Sequence, residues 1–539
     1  MGNTQPVLAG IDVGASSIKA VLVDAETGSV LGTGRSPVTV QSPRPGWAEM
    51  DAETWLLDAG KALQEAAARA NIPLRSVASI GLSGMCPAFV PLGRDGRALR
   101  RAILFFDRRS LDLAERIRRD IGEGRFFAVT GNRVAAGTIS VTSMLWVQAH
   151  EQEVWKNARY LAHANTYLGR QLTGRVAMDW TNASLTGLFE TAGKGRWSEA
   201  LASELGIDPA LLPEVVAPST LLGGLGKEAA AATGLPTGIP VAIGAADTAA
   251  SALAVGVLEP GQVFESSGTS LVITTCIGKP EFDPRFLNRC HVATGRWLAH
   301  GAMSAGGASL RWFHDEVVTG AVALGRGTRA GDNSAVSQPF VADPARSAVG
   351  NQLWYDLMER EACKAPPGAG GLIFLPYLSG ERSPIWDPLA RGAFIGISLA
   401  TRLRHLIRAV MEGVAYAERQ ILELAEAVLG AEAEQLLSVG GASHSKTWTQ
   451  IKADVLQLPI LVSHVAESAA TGAALLGGVA AGVYAGENEA AWVARQSLEV
   501  TSVTPNPSLR PVYDGLYETF SRLYPALREE FAALQPYAC

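Results

Sequence analysis

The stretch Gly-Ile-Asp-Val-Gly-Ala-Ser-Ser-Ile-Lys (residues 10–19) places a short polar turn between two apolar runs with the composition of β-strands. Glycine and small hydroxyl residues in such a turn offer backbone N–H groups and short side-chain donors without bulk, as phosphate oxygens require. An ordinary β-hairpin would also explain the pattern. We call residues 12–19 the first polar turn. The groups that it can bring to a phosphate belong to Asp12, Gly14, Ser16, Ser17 and Lys19.

A second turn of the same kind, Glu-Ser-Ser-Gly-Thr-Ser (residues 265–270), lies between two further apolar runs. Alone it would indicate a solvent-exposed hairpin. Two such turns, one near the start of each half of the chain, favour a site for a nucleoside triphosphate. The chain has no suitable GxxxxGK[ST] loop, so the site is not a P-loop. We call residues 266–270 the second polar turn.

Asp247 is a lone carboxylate in the small-residue stretch Gly-Ala-Ala-Asp (residues 244–247), between the two turns. It follows an apolar run and precedes a helix-like run, a position that also suits a helix cap. A kinase needs a base for the acceptor hydroxyl and a fixed Mg²⁺–triphosphate. The arrangement therefore predicts an ATP-dependent kinase. Asp247 would take the hydroxyl proton, and Asp12 and Asp247 are the candidate carboxylates for Mg²⁺, which prefers few carboxylates and several waters.

Two glycine pairs form a third pattern. Gly306-Gly307 follows one strand-like run, and Gly440-Gly441-Ala442 ends another; each leads into a helix-like run. Such an entry lets the backbone approach a flat ring or a phosphate. Close packing of helix on strand explains each pair equally well.

The composition excludes several classes of protein. At 539 residues, 47% hydrophobic and 18% charged, the chain is expected to form at least two large domains. A net charge of −6 without a Lys/Arg block argues against nucleic-acid binding. Five scattered cysteines without a CxxC motif favour reduced thiols in the cytoplasm, and no signal-peptide pattern is visible. The Ala/Gly-rich run at 469–485 is predicted to be a buried helix and not a membrane span.

The order of predicted elements in the first half is β-β-β-α-β, with strands at 7–13, 17–24, 30–40 and 77–82 and a helix at 52–70. A helix is also predicted at 307–318. Hairpin, strand and helix recur near residue 262, which indicates two related lobes of α/β structure.

Three longer motifs resemble one family, the FGGY carbohydrate kinases, named after a Phe-Gly-Gly-Tyr motif. Phe-Leu-Pro-Tyr-Leu-Ser-Gly-Glu-Arg-Ser-Pro-Ile-Trp-Asp-Pro (374–388), followed by Ala-Arg-Gly-Ala-Phe-Ile-Gly (390–396), is similar to the C-terminal signature. Gly-Gly-Ala-Ser-His-Ser (440–445) resembles the adenosine-side signature, and Asp-Trp-Thr-Asn-Ala-Ser (179–184) resembles a segment of the sugar domain. The resemblance covers most of the chain.

The resemblance implies an α/β fold of two ribonuclease-H-like (actin-like) lobes with a cleft between them. The N-terminal lobe, 1–255, would carry the first polar turn, the sugar site and the base Asp247. The C-terminal lobe, 256–539, would carry the second polar turn and the adenosine site. The implied cofactors are ATP and Mg²⁺. The implied phosphate contacts are Ser267, Gly268, Thr269 and Ser270; the implied adenosine contacts are Gly306, Gly307, Gly440, Gly441, Ala442 and Ser445; and the implied sugar contacts are Met85, Cys86, Asp107, Arg108 and Asp247.

The chain departs from the family pattern at three places. Ala15 stands where the family usually has Thr or Ser, and Ala245-Ala246 replace glycines before the base. Met85-Cys86-Pro87 replaces the Met-His-Gly of xylulose kinases and lacks the Arg-Glu pair of glycerol kinases, which argues against glycerol.

We predict phosphorylation of a primary hydroxyl of a ketose, with a pentulose such as D-xylulose foremost. Another polyol or ketose, such as ribulose, a deoxyhexulose or a sugar alcohol, is the close alternative. From other classes of protein, a non-catalytic sugar-binding regulator and an actin- or chaperone-like ATPase stay open. The expected partner is a small sugar, with no nucleic acid and no membrane, and a homodimer is open because dimers are common among resembling enzymes.

Overall fold

The computed structural model describes residues 6–193, 195–319 and 348–537, so Cys539 lies outside the described residues. The chain divides into two compact units. The first unit contains Met1–Gln262, Cys276–Ala299 and Val465–Glu499, and the second contains Val263–Thr275, His300–His464 and Val500–Cys539.

Most strands are short, and the longest lie at the start of the chain. In chain order the strands are β1 (Val7–Val13), β2 (Ser17–Asp24), β3 (Val30–Pro37), β4 (Glu49–Met50), β5 (Val77–Gly84), β6 (Ala88–Leu92), β7 (Ala102–Leu104), β8 (Tyr160–Ala162), β9 (Ala177–Asp179), β10 (Glu214–Val216), β11 (Leu221–Gly224), β12 (Pro240–Ala242), β13 (Ala245–Ala246), β14 (Val263–Ser267), β15 (Leu271–Ile277), β16 (Leu287–Cys290), β17 (Trp297–Met303), β18 (Ile373–Leu375), β19 (Ala393–Ile395), β20 (Leu436–Val439), β21 (Ile460–Ser463) and β22 (Val500–Val503).

The helices range from a single turn to seven turns. In chain order the described helices are α1 (Trp55–Ala70), α2 (Leu111–Asp120), α3 (Glu123–Thr130), α4 (Val141–His150), α5 (Gln152–Asn157), α6 (Ala164–Thr173), α7 (Trp180–Ala183), α8 (Glu199–Glu204), α9 (Lys227–Thr233), α10 (Asp247–Ala254), α11 (Gly307–Trp312), α12 (Ala348–Ala362), α13 (Leu403–Leu429), α14 (Lys446–Leu456), α15 (Ser468–Ala480), α16 (Glu487–Ser497) and α17 (Arg510–Leu534).

The main sheet of the first unit has the strand order β11-β12-β5-β1-β2-β3, and β13 also pairs with β5. Ala9 and Ile11 on one face of β1 share a core with Ala59 of α1. On the other face lies Gly10, where a Cβ atom would come within 1.8 Å of the carbonyl oxygen of Ala470 in α15. Because successive residues of a strand point to opposite faces, one helix covers each face of this sheet.

Helix α15 lies in the Ala/Gly-rich run at 469–485, and it packs against β1 and β5. Its small residues let it approach the sheet backbone closely, which confirms the prediction of a buried helix. Among the described residues, no helix is both long and apolar enough to cross a membrane.

The second unit repeats the pairing pattern of the first. Most of its strands belong to a seven-stranded sheet with the order β16-β17-β15-β14-β20-β21-β22. Strand β14 pairs antiparallel with β15 and parallel with β20, as β1 pairs antiparallel with β2 and parallel with β5. The predicted recurrence of the hairpin near residue 262 is confirmed, and the parallel partner strand is a further likeness.

Two element boundaries differ from the sequence prediction. Strand β3 ends at Pro37 and not at residue 40, because Pro37 pairs with Ser17, the residue at which the partner strand β2 begins. The helix predicted at 307–318 is the short α11 followed by a π-helical turn, Phe313–Thr319.

Candidate active site

The first polar turn is a closed hairpin end in the first unit. The last strand pair is Val13 with Ile18, and the N–H of Gly14 donates to the carbonyl of Ser17 at 3.1 Å. A Cβ atom at Gly14 would lie 3.0 Å from that same carbonyl oxygen, so glycine fits the tight turn. Ser16 is exposed and Ser17 is buried.

Asp12, at the end of β1, is buried beside this turn. The hydroxyl of Ser83 donates to Asp12 Oδ1 at 2.9 Å. Burial raises the pKa of Asp12 to about 6; the charge of Lys19 opposes that rise, and the charge of Asp247 adds to it. Asp12 and Asp247 therefore lie within electrostatic reach of each other, and a cation beside them would offset their repulsion.

Lys19 is the cross-strand partner of Asp12. Its Nζ atom lies 2.7 Å from Oε2 of Glu467, which directly precedes α15, and Arg35 reaches the other oxygen of Glu467 at 3.1 Å. Burial lowers the pKa of Lys19, but Asp12 and Glu467 outweigh it, and the pKa lies above its ordinary value. The ammonium group is thus held charged at the base of the turn.

Asp247 is positioned by three strands that end together. In register, Asp12 of β1 lies beside Ser83 of β5, and Ser83 lies beside Ala245 of β13. Asp247 follows β13 and is the first residue of α10. The N–H and hydroxyl of Thr248 donate to its Oδ1 at 2.7 and 3.1 Å. Its Oδ2 accepts no hydrogen bond from the described residues and is free for a ligand hydroxyl.

Helix α7 braces the strand that leads to Asp247. The N–H of Ala246 donates to the hydroxyl of Thr181 at 2.8 Å. Asp179 caps α7 by accepting from the N–H groups of Thr181 and Asn182, each at 3.0 Å, and from the Asn182 amide at 2.7 Å. The motif at 179–184 therefore holds the backbone in front of Asp247.

Two of the predicted sugar contacts lie close to Asp247. Met85 is buried, and its N–H donates to the carbonyl of Val13 at 2.9 Å. Burial raises the pKa of the Cys86 thiol to about 12; Arg289 opposes this effect, and Asp247 and Asp179 add to it. The thiol is neutral and lies in the field of the Asp247 carboxylate.

The other two predicted sugar contacts have different surroundings. The buried carboxylate of Asp107 accepts from the N–H of Ala48 at 2.6 Å and pairs with Arg109 at 2.8 Å, so its oxygens are engaged within the protein. Arg108 is exposed, and its N–H donates to the carbonyl of Gly46 at 2.8 Å. Their roles stay predictions.

The second polar turn lies in the second unit beside both glycine pairs. The N–H groups of Gly307 and Ala308 donate to the carbonyls of Gly268 and Thr269 at 2.9 and 3.0 Å. A Cβ atom at Gly307 would lie 2.5 Å from the Gly268 oxygen, and one at Gly440 would lie 2.5 Å from the Ser267 oxygen. Glycine at these positions thus lets three backbone segments meet. Ser270 closes the turn by accepting from the N–H of Gly268 at 2.9 Å.

The remaining predicted adenosine contacts divide into open and engaged groups. A Cβ atom at Gly441 would meet nothing within 4 Å, so a ligand can approach its backbone. Gly306 packs tightly on Leu271, and Ala442 is buried. Ser445 caps α14, because its hydroxyl accepts from the N–H of Trp448 at 3.2 Å.

Two further features escaped sequence reasoning because their members are far apart in the chain. Lys452 lies behind the second polar turn, where its Nζ atom donates to both oxygens of Glu265 at 2.7 and 2.8 Å and to Ser267 Oγ at 3.3 Å. In the first unit, the positive charge of Arg289 lowers the pKa of the Cys86 thiol and so opposes the effect of burial. Only the rarity of charged residues within apolar runs could have pointed to Lys452 and Arg289.

The described residues contain no group of three or more His, Cys, Asp and Glu side chains suited to hold a metal ion. Asp12 and Asp247 are a pair, which is the small carboxylate set that Mg²⁺ uses when it keeps most of its water. The buried Asp12 with its raised pKa gains from a nearby cation, so the residues present fit Mg²⁺.

Comparisons with known proteins agree on one family. Residues 7–254 match the N-terminal domain and residues 264–481 the C-terminal domain of the FGGY family of carbohydrate kinases. The crystal structure of xylulose kinase from Rhodospirillum rubrum is 31% identical, with a TM-score of 0.83 over 98% of this chain and 100% of that one. A xylulose kinase of Bacillus subtilis is 28% identical over 98% of both chains, and a gluconokinase of the same organism is 28% identical over 88% and 87%. The predicted fold class, α/β with two actin-like lobes, is confirmed.

Proposed function

We propose a substrate and a division of roles for this chain from the premise that it belongs to the FGGY family of carbohydrate kinases. That membership, predicted from the sequence, makes the chain a phosphotransferase that acts on a hydroxyl of a carbohydrate. The proposed reaction is transfer of the γ-phosphoryl group of ATP to a primary hydroxyl of a ketose, with a pentulose such as D-xylulose as the first candidate.

The observation that carries the proposal is the setting of Asp247. Its Oδ1 is held by Thr248, and its Oδ2 stays free for a hydroxyl. A carboxylate in this position accepts the proton of the sugar hydroxyl while that oxygen attacks the phosphorus atom. Asp247 is the first residue of α10, where the positive end of the helix dipole attracts an anionic side chain.

The two polar turns hold the triphosphate in this proposal. Ser16, Ser17 and Lys19 supply donors from the first unit, and residues 267–270 supply donors from the second. Gly306, Gly307, Gly440, Gly441, Ala442 and Ser445 are proposed to form the adenosine side. The roles assigned to residues 1–255 and 256–539 belong to the same proposal.

Mg²⁺ is proposed to be held by Asp12 and Asp247 through water, and it would neutralise the charge that develops on the phosphates. Ser83 keeps Asp12 in place by donating to Oδ1 at 2.9 Å. Lys19 offsets the carboxylate charge while no cation is bound.

The choice of sugar rests on relatives named xylulose kinase and on Met85 and Cys86 near Asp247. A sugar acid is the second candidate, because a relative named gluconokinase matches over 88% of this chain. In addition, the Nε and Nη1 atoms of Arg289, whose charge reaches Cys86, have no hydrogen-bond partner among the described residues. We also propose a cytoplasmic enzyme, in keeping with the free thiols of the four described cysteines. A homodimer stays a prediction.

The test is phosphorylation of a panel of sugars by the full chain with MgATP. ADP release is followed by a coupled assay, and the phosphorylated carbon is identified by NMR. A pentulose phosphorylated at its primary hydroxyl with the highest kcat/KM supports the proposal. A higher kcat/KM for an aldonate would replace the pentulose by a sugar acid. Sugar-independent ATP hydrolysis alone would contradict a kinase.

A further inference from the structure

Arg289 in β16 is a buried cation for which the described residues supply no hydrogen-bond or ion-pair partner. The residue is 3% exposed, and its Nε and Nη1 atoms are buried with no hydrogen-bond partner among the described residues. No described carboxylate lies within ion-pair distance of it. An unpaired guanidinium group in a protein interior is costly unless a ligand supplies acceptors for it.

The backbone on both sides of Arg289 is fixed. The N–H of Asn288 donates to Asn132 Oδ1 at 2.8 Å, and the Asn132 amide donates back to the Asn288 carbonyl at 2.8 Å. The N–H of Cys290 donates to Ser184 Oγ at 3.0 Å. The backbone that carries Arg289 is therefore held in one place before any ligand arrives.

Helix α7 connects this place to Asp247. Thr181, at one end of the helix, accepts from the N–H of Ala246, and Ser184, three residues later, accepts from the N–H of Cys290. Three residues of helix span about 4.5 Å, so the backbones leading to Asp247 and Arg289 are fixed to neighbouring positions on one element.

The groups around Arg289 are polar and uncharged, or already engaged. The neutral thiol of Cys86 lies in the field of Arg289. Burial lowers the pKa of His163 to about 4, Asn182 opposes this, and Arg289 lowers it further, so the ring is neutral at pH 7. Asp179 accepts from α7 and forms no ion pair with Arg289. Polar, uncharged surroundings of this kind suit a compact, oxygen-rich molecule.

We propose that Arg289 is a specificity-determining residue of the sugar site, donating from Nε and Nη1 to two neighbouring oxygen atoms of the substrate. The inference rests on the proposed function, because it takes the surroundings of Asp247 and Cys86 as the sugar site. A carbonyl and hydroxyl pair of a ketose, or the carboxylate of a sugar acid, offers this pair of acceptors.

The test compares Arg289→Met and Arg289→Lys with Arg285→Met, a matched control on an exposed guanidinium that pairs with Asp283 at 2.7 Å. Thermal unfolding of the unliganded full chain is measured first. Loss of an unpaired buried charge leaves the Tm of R289M equal to or above that of wild type, whereas a structural arginine would lower it.

Kinetics and binding form the second part of the test. R289M is expected to raise the KM for sugar by about 10- to 100-fold, as loss of one or two charged hydrogen bonds predicts, with the KM for ATP unchanged. R289K is expected to fall between R289M and wild type, and R285M to match wild type. Loss confined to ketoses identifies the carbonyl and hydroxyl pair as the ligand, and loss confined to aldonates identifies the carboxylate.

Failure of this inference and failure of the proposed function give different results. If wild type phosphorylates no sugar, the proposed function fails. Binding of sugar by Arg289 is then tested by thermal unfolding, and it is supported if sugars raise the Tm of wild type but not that of R289M. An unchanged KM for every sugar in a folded R289M overturns the inference while the kinase activity stands. A set of sugars that raises neither the Tm nor the turnover of wild type overturns both.

Discussion

Replacement of Lys452 by Met is predicted to destabilise the second unit strongly. The Lys452 Nζ atom lies 2.7 Å from Glu265 and 3.2 Å from Glu418, and all three side chains are almost wholly buried. Burial and repulsion by Glu265 raise the pKa of Glu418 well above its ordinary value. Burial alone would raise the pKa of Glu265, but Lys452 reverses that effect and the pKa is lowered. The cluster thus holds one ammonium group between two carboxyl groups, and Glu265 is the one whose ionised form Lys452 stabilises.

Removal of the ammonium group leaves the Glu265 carboxylate buried without a countercharge. Loss of one partner of a buried ion pair costs about 3–5 kcal/mol of unfolding free energy. For a unit of about 200 residues, that loss lowers Tm by about 6–20 °C. The double variant K452M/E265Q removes both charges and is expected to recover most of the loss.

The assay is differential scanning calorimetry of the full chain, in which the two units can unfold separately. Lys446→Met, on an exposed position of the same helix α14, is the control and is expected to match wild type. Since Lys452 also donates to Ser267 in the second polar turn, K452M is expected to raise the KM for ATP. A K452M Tm close to that of K446M would refute the reasoning, as would a double variant less stable than K452M.

Three further predictions concern tight packing and pH. Gly307→Ala places a Cβ atom 2.5 Å from the Gly268 carbonyl oxygen, and we expect kcat/KM for ATP to fall by about 100-fold while the KM for sugar is retained. An unchanged kcat/KM for ATP in steady-state kinetics would contradict this. Gly81→Ala places a Cβ atom 1.7 Å from the Ala473 carbonyl oxygen in α15, and we expect the unfolding free energy, measured by chemical denaturation, to fall by about 1–3 kcal/mol or more. A variant as stable as wild type would contradict this, because it would show that the helix can move. Burial raises the pKa of Glu381 from 4.5 to about 7, so the folded protein binds the proton more tightly than the unfolded chain, and stability falls as pH rises from 4.5 to 7. Glu381→Gln is expected to flatten that part of a Tm–pH curve, and an equally steep curve would contradict the assignment.

Much of the fold could be predicted from the sequence because its signals are local. The apolar runs of β1 and β2 and the glycines of the first polar turn are each contained within about ten residues. Helix α15 could be recognised as a buried helix because its Ala/Gly-rich composition is also a local signal. Its partners Gly10 and Gly81, far away in the sequence, could not be. The predicted end of β3 was wrong because that end depends on where the partner strand β2 begins, at Ser17.

The candidate site was predictable where its residues stand in a motif and hidden where they do not. Asp247 stands out as a single carboxylate among small residues, and the register of β1, β5 and β13 brings it near Asp12. Lys452 contacts Glu265 and Ser267, and Arg289 lies near Cys86. Each of these partners is far away in the sequence, so only the fold brings them together. The sequence also offered no sign that Asp107 is engaged by Arg109.

The central claim is that Asp247 is the catalytic base. The most direct test is the single-turnover rate of sugar phosphorylation by the Asp247→Asn variant with saturating MgATP. The amide keeps the size of the side chain and its Oδ1 acceptor for Thr248, but it cannot take a proton. We expect the rate to fall by about 100- to 10,000-fold while sugar and MgATP still bind, as calorimetry will show. A rate within about tenfold of wild type, at full binding of both ligands, would contradict the account.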